Sequence, residues 1–196
     1  RPRVALFAGS GNNGGDAFAC ARHLAGSGFA CSVWLTVDEA ALKGDAAIHY
    51  RRMREAGVPA AACCDATVRD ALGYPPSAPL IVVDGVLGTG LTGPARGAAA
   101  LAIRAVNALG DAGRVVAIDV PSGLNSDTGE PLGETVRADL TVTMAWPKRG
   151  LLMPVALEFV GNLRVVDIGI PAALAETIES DVHLITPADF ASVLRR

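Results

Sequence analysis

Val4-Ala5-Leu6-Phe7-Ala8-Gly9-Ser10-Gly11-Asn12-Asn13-Gly14-Gly15-Asp16 decides the fold. A short apolar run enters a glycine-rich turn, and the turn enters Ala17-Phe18-Ala19-Cys20-Ala21-Arg22-His23-Leu24, a helical pattern. Strand, glycine loop and helix in that order put bare backbone N–H groups at a helix N-terminus, where a phosphate can be held. Gly9-x-Gly11-x-x-Gly14 matches the dinucleotide fingerprint, although alone it also fits a glycine turn kept for tight strand–helix packing. Asn12, Asn13 and Asp16 add side-chain oxygens that an ordinary dinucleotide loop lacks. The acidic residue that such a loop expects about 20 positions later would be Asp38, which closes no clean second strand. A plain nicotinamide-dependent dehydrogenase is therefore disfavoured.

Working outward, strand patterns recur with helices between them. Cys31–Thr36 is a second strand, after a helix closed by Gly26 and Gly28. Ala46–Ala56 reads as a helix with Ile48, Met53 and Ala56 on one face and Gly57 as its stop. Val58–Ala62 reads as a short strand and Ala66–Leu72 as a short helix with Asp65 as N-cap. A proline-rich loop over 75–79 precedes the strand Leu80–Asp84. Ala98–Leu109 is a helix, and Arg114–Asp119, Ala138–Met144 and Leu163–Ile168 complete the strands. Continuous apolar runs, rather than alternating ones, predict strands covered on both faces. Their alternation with helices predicts an α/β fold with a doubly wound, mainly parallel sheet.

Composition bounds the rest. A length of 196 residues suits one domain with a full core, and 51% apolar against 19% charged residues argues against disorder. The net charge of −3 gives no broad basic surface for nucleic acid or anionic lipid, so neither is an expected partner. No apolar run reaches the ~18 residues of a membrane span, and no signal-peptide pattern opens the chain. Cys20, Cys31, Cys63 and Cys64 contain no Cys-x-x-Cys spacing and read as idle thiols in a reducing cytosol. The expected location is cytoplasmic. Arg1-Pro2-Arg3 runs straight into the first strand, which suggests further sequence upstream.

In such sheets ligands bind beyond the carboxyl ends of the strands. Three loops converge on that rim. The first strand delivers Gly9–Asp16. The run 80–84 delivers Asp84 and then Gly88-Thr89-Gly90-Leu91-Thr92-Gly93-Pro94, and the run 114–118 delivers Asp119-Val120-Pro121-Ser122-Gly123. One acid at a strand end can simply cap a loop. Two, each followed by a glycine- or proline-rich loop, favour function. Asn13, Asp84 and Ser122 form an oxygen-only set suited to a hard cation of low charge. Lys148 follows a strand that, if parallel, brings it to the same rim, either against a phosphate or an acidic partner or as a solvated loop lysine. His23, His49 and His183 lie in helical or surface-like contexts, away from the expected chemistry. Trp34 and Trp146 read as packing residues, with Trp146 close enough to the mouth to line a ring pocket.

Gly11-Asn12-Asn13-Gly14-Gly15-Asp16, Val83–Leu91, Ile118–Leu124 and Asp167-Ile168-Gly169-Ile170-Pro171 together resemble the NAD(P)H-hydrate epimerase family, also called the YjeF N-terminal domain. The stretches Ala138–Thr143 and Pro147–Leu151 extend the resemblance, which runs in order across nearly the whole chain. It implies a three-layer Rossmann-like fold and a potassium ion held by Asn13, Asp84 and Ser122. It also implies that Asn12, Asn13, Gly14, Gly15, Asp16, Gly88–Pro94 and Asp119 contact the substrate. The family reaction inverts C6 of hydrated NADH or NADPH (NADHX or NADPHX) and feeds the S epimer to an ADP- or ATP-dependent dehydratase, often fused in the same chain. A homodimer is usual. Residues 1–185 would be the epimerase domain and 186–196 the start of a linker to the dehydratase. Ala17 stands where the family often has glycine, and Asn125 where an aspartate is common; Asp127 offers a compensating charge.

Inversion at C6 requires a proton to move at the hydroxyl oxygen, whether the ring opens or the hydroxyl leaves and returns. Asp119 is the expected general acid/base, its pKa lifted by burial at a strand end, and Lys148 the contact for a phosphate or for positioning that acid. A catalytically silent binding module of the kind found in messenger-RNA decapping scaffolds, and an ordinary nicotinamide oxidoreductase, are the alternatives. Retention of Asn13, Asp16, Asp84, Asp119 and Ser122 favours the enzyme over the first. The lack of a Tyr-x-x-x-Lys or a catalytic His/Asp pair disfavours the second.

Overall fold

The strand β1 (Arg3–Ala8) sits inside a seven-stranded sheet of order β3-β2-β1-β4-β5-β6-β7, in which every pairing is parallel. The other strands are β2 (Ala30–Leu35), β3 (Ala60–Ala62), β4 (Leu80–Gly85), β5 (Gly113–Ile118), β6 (Leu140–Met144) and β7 (Asn162–Val166). The helices are α1 (Asn12–Gly26), α2 (Gly44–Glu55), α3 (Val68–Leu72), α4 (Gly97–Asn107), α5 (Leu157–Val160) and α6 (Ala172–Ala175). The structure is a computed structural model and describes residues 1–72, 79–175, 177 and 182–185. The proline-rich loop, apart from Pro79, and the expected linker at 186–196 lie outside the described residues.

Alternation along β1 builds the three layers. Val4, Leu6 and Ala8 face one core with Ala17, Phe18 and Ala21 of α1 and Tyr50 and Met53 of α2. Ala5 and Phe7 face the opposite core with Ile103 and Val106 of α4. Both faces of the central strands are thus dry, which is why they read as unbroken apolar runs. Phe18 and Tyr50 meet edge to face, with ring centroids 5.2 Å apart. Burying Phe18 completely contributes about 2–3 kcal/mol.

Three local expectations are corrected. The buried face of α2 is Ala46, Tyr50 and Met53, whereas Ile48 and Ala56 are exposed. The helix is rotated because the ring of Tyr50, not the Ile48 side chain, fills the space against Phe18. The short helix α3 starts at Val68, and the preceding turn is held by Thr67, whose hydroxyl donates to the Ala62 carbonyl and accepts from the Cys64 N–H; Asp65 is not its cap. The last strand, β7, is largely exposed rather than covered, because it pairs with β6 alone at the sheet edge.

All four cysteines are free thiols, and burial pushes Cys63 up to about 11. Among the described residues no helix is long and apolar enough to cross a membrane.

Candidate active site

The sheet order reverses between β1 and β4, so the loops after these strands splay apart and open a crevice. A cleft of about 960 Å³ occupies it. Its walls include Asn12, Asn13 and Asp16 after β1, residues 88–94 after β4, Asp119 after β5 and Met144 at the end of β6. The three loops expected at one mouth therefore meet there.

Glycine is obligatory where these loops touch. A methyl group on Gly14 would lie inside the Gly9 carbonyl, and one on Gly9 inside the Val86 carbonyl. Gly14 and Gly15 do not line the cleft. Gly15 backs onto Ala46 of α2, so both glycines let α1 start close to the sheet. Ala17 performs a related task, its methyl meeting Gly85 at the end of β4. Asn125 makes a local turn by accepting from the N–H groups of Asp127 and Thr128, and neither Asn125 nor Asp127 borders the cleft.

Beneath the cleft floor lies a buried polar knot. The Asp84 carboxylate accepts from the Ser122 N–H at 2.8 Å, the Ser122 hydroxyl at 2.6 Å and the Val86 N–H at 3.2 Å. Ser122 Oγ in turn accepts from the Leu87 N–H at 2.8 Å. Asn13 Nδ2 donates to the Leu87 carbonyl at 2.9 Å, while its Oδ1 is buried with no partner among the described residues. Asp84 is 1% and Ser122 0% exposed, and burial holds the Asp84 carboxyl above its ordinary range against the pull of its hydrogen bonds. One orphaned amide oxygen, one buried carboxylate and one hydroxyl thus gather with no nitrogen or sulfur donor among them. That donor set fits a hard cation of low charge.

Asp119 stands on different terms. Lys148 Nζ, Thr143 Oγ1 at 3.0 Å and the Met144 N–H at 3.2 Å all donate to its Oδ1. The same ammonium donates to Thr143 Oγ1 and to the Met144 carbonyl, each at 3.0 Å. Oδ2 accepts no hydrogen bond among the described residues and is not buried, and Asp119 borders the cleft. The ion pair is only partly exposed, at 24% for Lys148 and 18% for Asp119. Lys148 does not itself line the cleft, so of its expected roles the geometry supports contact with the acid.

The backbone aims this carboxylate. Asp119 has φ 64°, and the Val120 N–H bonds the Ile118 carbonyl across it at 2.8 Å, a γ-turn of the rare positive-φ kind. Such strain, of order 1–3 kcal/mol, persists where the surroundings over-determine it, and it collects at functional sites.

The carboxyl in the cleft whose pKa is raised is Asp16, on α1. Burial lifts it first and the Asp119 charge second, with His49 of α2 pulling the other way.

Several contributors went unrecognised in the sequence: Thr143, Met144, Thr36, Val37, Arg96 and His49. Thr143 carried a usable signal, since Leu140-Thr141-Val142-Thr143 puts two hydroxyls on one side of a strand with polar work to do. Thr141 spends its hydroxyl on the Val160 carbonyl at 2.8 Å, and Thr143 on Asp119. Arg96 ends the loop after β4, just before α4, and the position of His49 depends on how α2 docks. Trp146 is 41% exposed and does not reach the cleft, and Trp34 packs against the core as expected.

Residues 1–150 match the family model described as YjeF-related protein N-terminus. The chain belongs to this family. NAD(P)H-hydrate epimerase of Pirellula staleyi is 36% identical over 178 residues, which cover 91% of this chain and 78% of the relative. A protein of the same name from Rhodopirellula baltica is 40% identical over 171 residues, covering 87% and 68%. The bifunctional NAD(P)H-hydrate repair enzyme Nnr of Thermofilum pendens is 40% identical over 173 residues, and there the chain spans 32% of the relative's length. Among solved structures, yeast Ynu0 superposes with a TM-score of 0.72 at 22% identity, covering 94% of this chain and 75% of that one. That likeness shows a shared YjeF N-terminal fold, the three-layer Rossmann-like arrangement.

Proposed function

We propose that this YjeF N-terminal domain is an NAD(P)H-hydrate epimerase, which interconverts the R and S forms at C6 of hydrated NADH and NADPH. The observation that carries the reading is the half-engaged Asp119. Three donors hold Oδ1, Oδ2 accepts no hydrogen bond among the described residues, and Asp119 borders a cleft large enough for the nicotinamide end of a dinucleotide. That is the geometry of a general acid/base, whose contribution is typically ~10²–10⁴ in rate. Residues 88–94 and the start of α1 offer backbone N–H groups to the phosphates. Lys148 and Thr143 are positioning residues.

Asn13, Asp84 and Ser122 would hold a potassium ion. Bound there, it would supply positive charge beside a buried carboxylate and tie the loops after β1, β4 and β5 together. A partner dehydratase, fused or separate, would consume the S epimer. The names of the bifunctional relatives support a fused arrangement. A homodimer working in the cytoplasm, where nicotinamide cofactors are used, completes the reading.

The test is to incubate the protein with an R/S mixture of hydrated NADH and a dehydratase specific for the S form. Complete consumption, faster than spontaneous inversion permits, is expected. If only the S half is consumed promptly, as without the protein, the domain is a silent binding module.

A further inference from the structure

Asp119 is not the only carboxyl in the cleft. Asp16 projects from the first turns of α1, while Asp119 sits at the end of β5, and both border the same volume. They are close enough for the charge on one to act on the other. Their surroundings differ in kind. Asp119 has an ammonium, a hydroxyl and an N–H on one oxygen, a setting that suits the anion. Asp16 has no hydrogen bond or ion pair to its carboxyl among the described residues, and it faces an anion. The charged and titratable groups around it are Asp119, His49 on α2, Arg96 across the cleft and Lys148 behind Asp119. Burial and Asp119 favour its protonated form, and His49 opposes them. Entry of a substrate ring would strip further water from it and strengthen the first effect. Two carboxyls on one cleft, one held by three donors and one by none, are placed to divide the roles of acid and base.

From this arrangement, which rests on the proposed epimerase activity, we infer that Asp16 is a second catalytic residue, the proton donor to the C6 hydroxyl, with Asp119 as its partner base. Asp16 gives its proton to the hydroxyl oxygen. The C6–O bond breaks, its electron pair leaves with the oxygen, and the leaving group is water. The lone pair of ring nitrogen N1 forms the C6=N1 double bond, so the positive charge rests on nitrogen, near the Asp119 carboxylate. Water then adds to the opposite face of C6 and the π pair returns to N1. The surplus proton passes to Asp119. One proton has left Asp16 and one has reached Asp119, and the hydrate has its original composition with inverted configuration. Exchange with solvent through the open cleft resets both carboxyls. The return direction uses them in exchanged roles.

The experiment follows inversion of the R epimer in the coupled assay, and separately in water enriched in oxygen-18. Asp16→Asn should lower kcat by about 10²–10⁴-fold without lowering the thermal midpoint. Asp16→Ala should regain activity in proportion to added formic acid, a response that a merely structural aspartate would not give. Wild-type product should carry solvent oxygen at C6 faster than spontaneous exchange supplies it. Asp16→Asn turning over within about twofold of wild type, or product that keeps its original oxygen, overturns this inference while the epimerase reading stands. A wild-type protein that does not accelerate inversion overturns both. The isotope result needs no variant, so product that keeps its original oxygen overturns the inference even if a substitution at Asp16 prevents folding.

Discussion

Asp119 and Ala145 adopt the same left-handed turn at the ends of neighbouring parallel strands, with φ of 64° and 61°. In each, the following N–H closes back on the preceding carbonyl at 2.8 Å: Val120 to Ile118, and Trp146 to Met144. The first turn throws the carboxylate into the cleft. The second reverses the chain so that Lys148, three residues on, comes back to Asp119 and to the Met144 carbonyl. Acid and ammonium are brought together by two matched backbone distortions.

Ala145 has no side chain that profits from this conformation. Replacing it with glycine relieves about 1–2 kcal/mol of left-handed strain and costs about 0.4–1 kcal/mol in unfolded-chain entropy. Ala145→Gly should therefore be neutral to about 1.6 kcal/mol more stable, raising Tm by up to ~6 °C. A scanning calorimetry trace with a lower Tm would show that the turn is not strained.

Lys148→Met removes the only charged donor to Asp119 among the described residues and leaves the Thr143 and Met144 bonds in place. Because Lys148 does not border the cleft, kcat should fall by about 10²-fold with KM nearly unchanged. Thr143→Val should act in the same direction and cost about 1–3 kcal/mol of stability, since it deletes a buried hydroxyl that both donates and accepts. A variant in which KM rises and kcat holds would place Lys148 on the substrate instead.

The polar knot below the cleft predicts an ion effect on stability. Tm should be higher in potassium chloride than in choline chloride at equal ionic strength, with a gain of ~2.7 kcal/mol when the ion is a hundredfold above its Kd. Asn13→Leu, which deletes the orphaned oxygen, should erase the difference. Identical wild-type melting in both salts would mean that the knot binds no cation.

Asp16 predicts a pH effect of definite sign. Its folded pKa is raised, so the folded state binds more protons than the unfolded one just above the ordinary carboxylate pKa of about 4. The protonated form contributes stability that is lost as pH rises through that window. Denaturant midpoints of wild type should fall relative to Asp16→Asn between the unfolded and the folded pKa and run parallel above it. Equal slopes throughout would contradict the raised pKa.

Much of this was legible in the sequence because the central strands are buried on both faces and carry little else. Val4–Ala8, Leu80–Asp84 and Arg114–Ile118 reveal the sheet by composition alone, and the glycine- and proline-rich loops that follow reveal its rim. Edge and surface elements were less legible. Ile48 is apolar yet exposed, and β7 is apolar yet open, because local pattern does not encode which neighbour is absent. The site divides the same way. Most residues borne on loops next to strands were found, whereas His49 comes from the docking of a whole helix, and Arg96 lies just past the glycine-rich stretch that drew the reading. Asp16, whose carboxyl burial pushes up, read in the sequence only as a substrate contact.

Leu87 is the clasp between distant parts of the chain: its carbonyl is bonded by Asn13, 74 residues earlier, and its N–H bonds Ser122, 35 residues later. During synthesis, then, the ribosome must release the chain through Ser122 before this clasp can close. A nascent chain arrested before Ser122 would have its opening strand and helix but not the hydroxyl that the Leu87 N–H reaches, so the clasp closes late and only once all three segments have emerged.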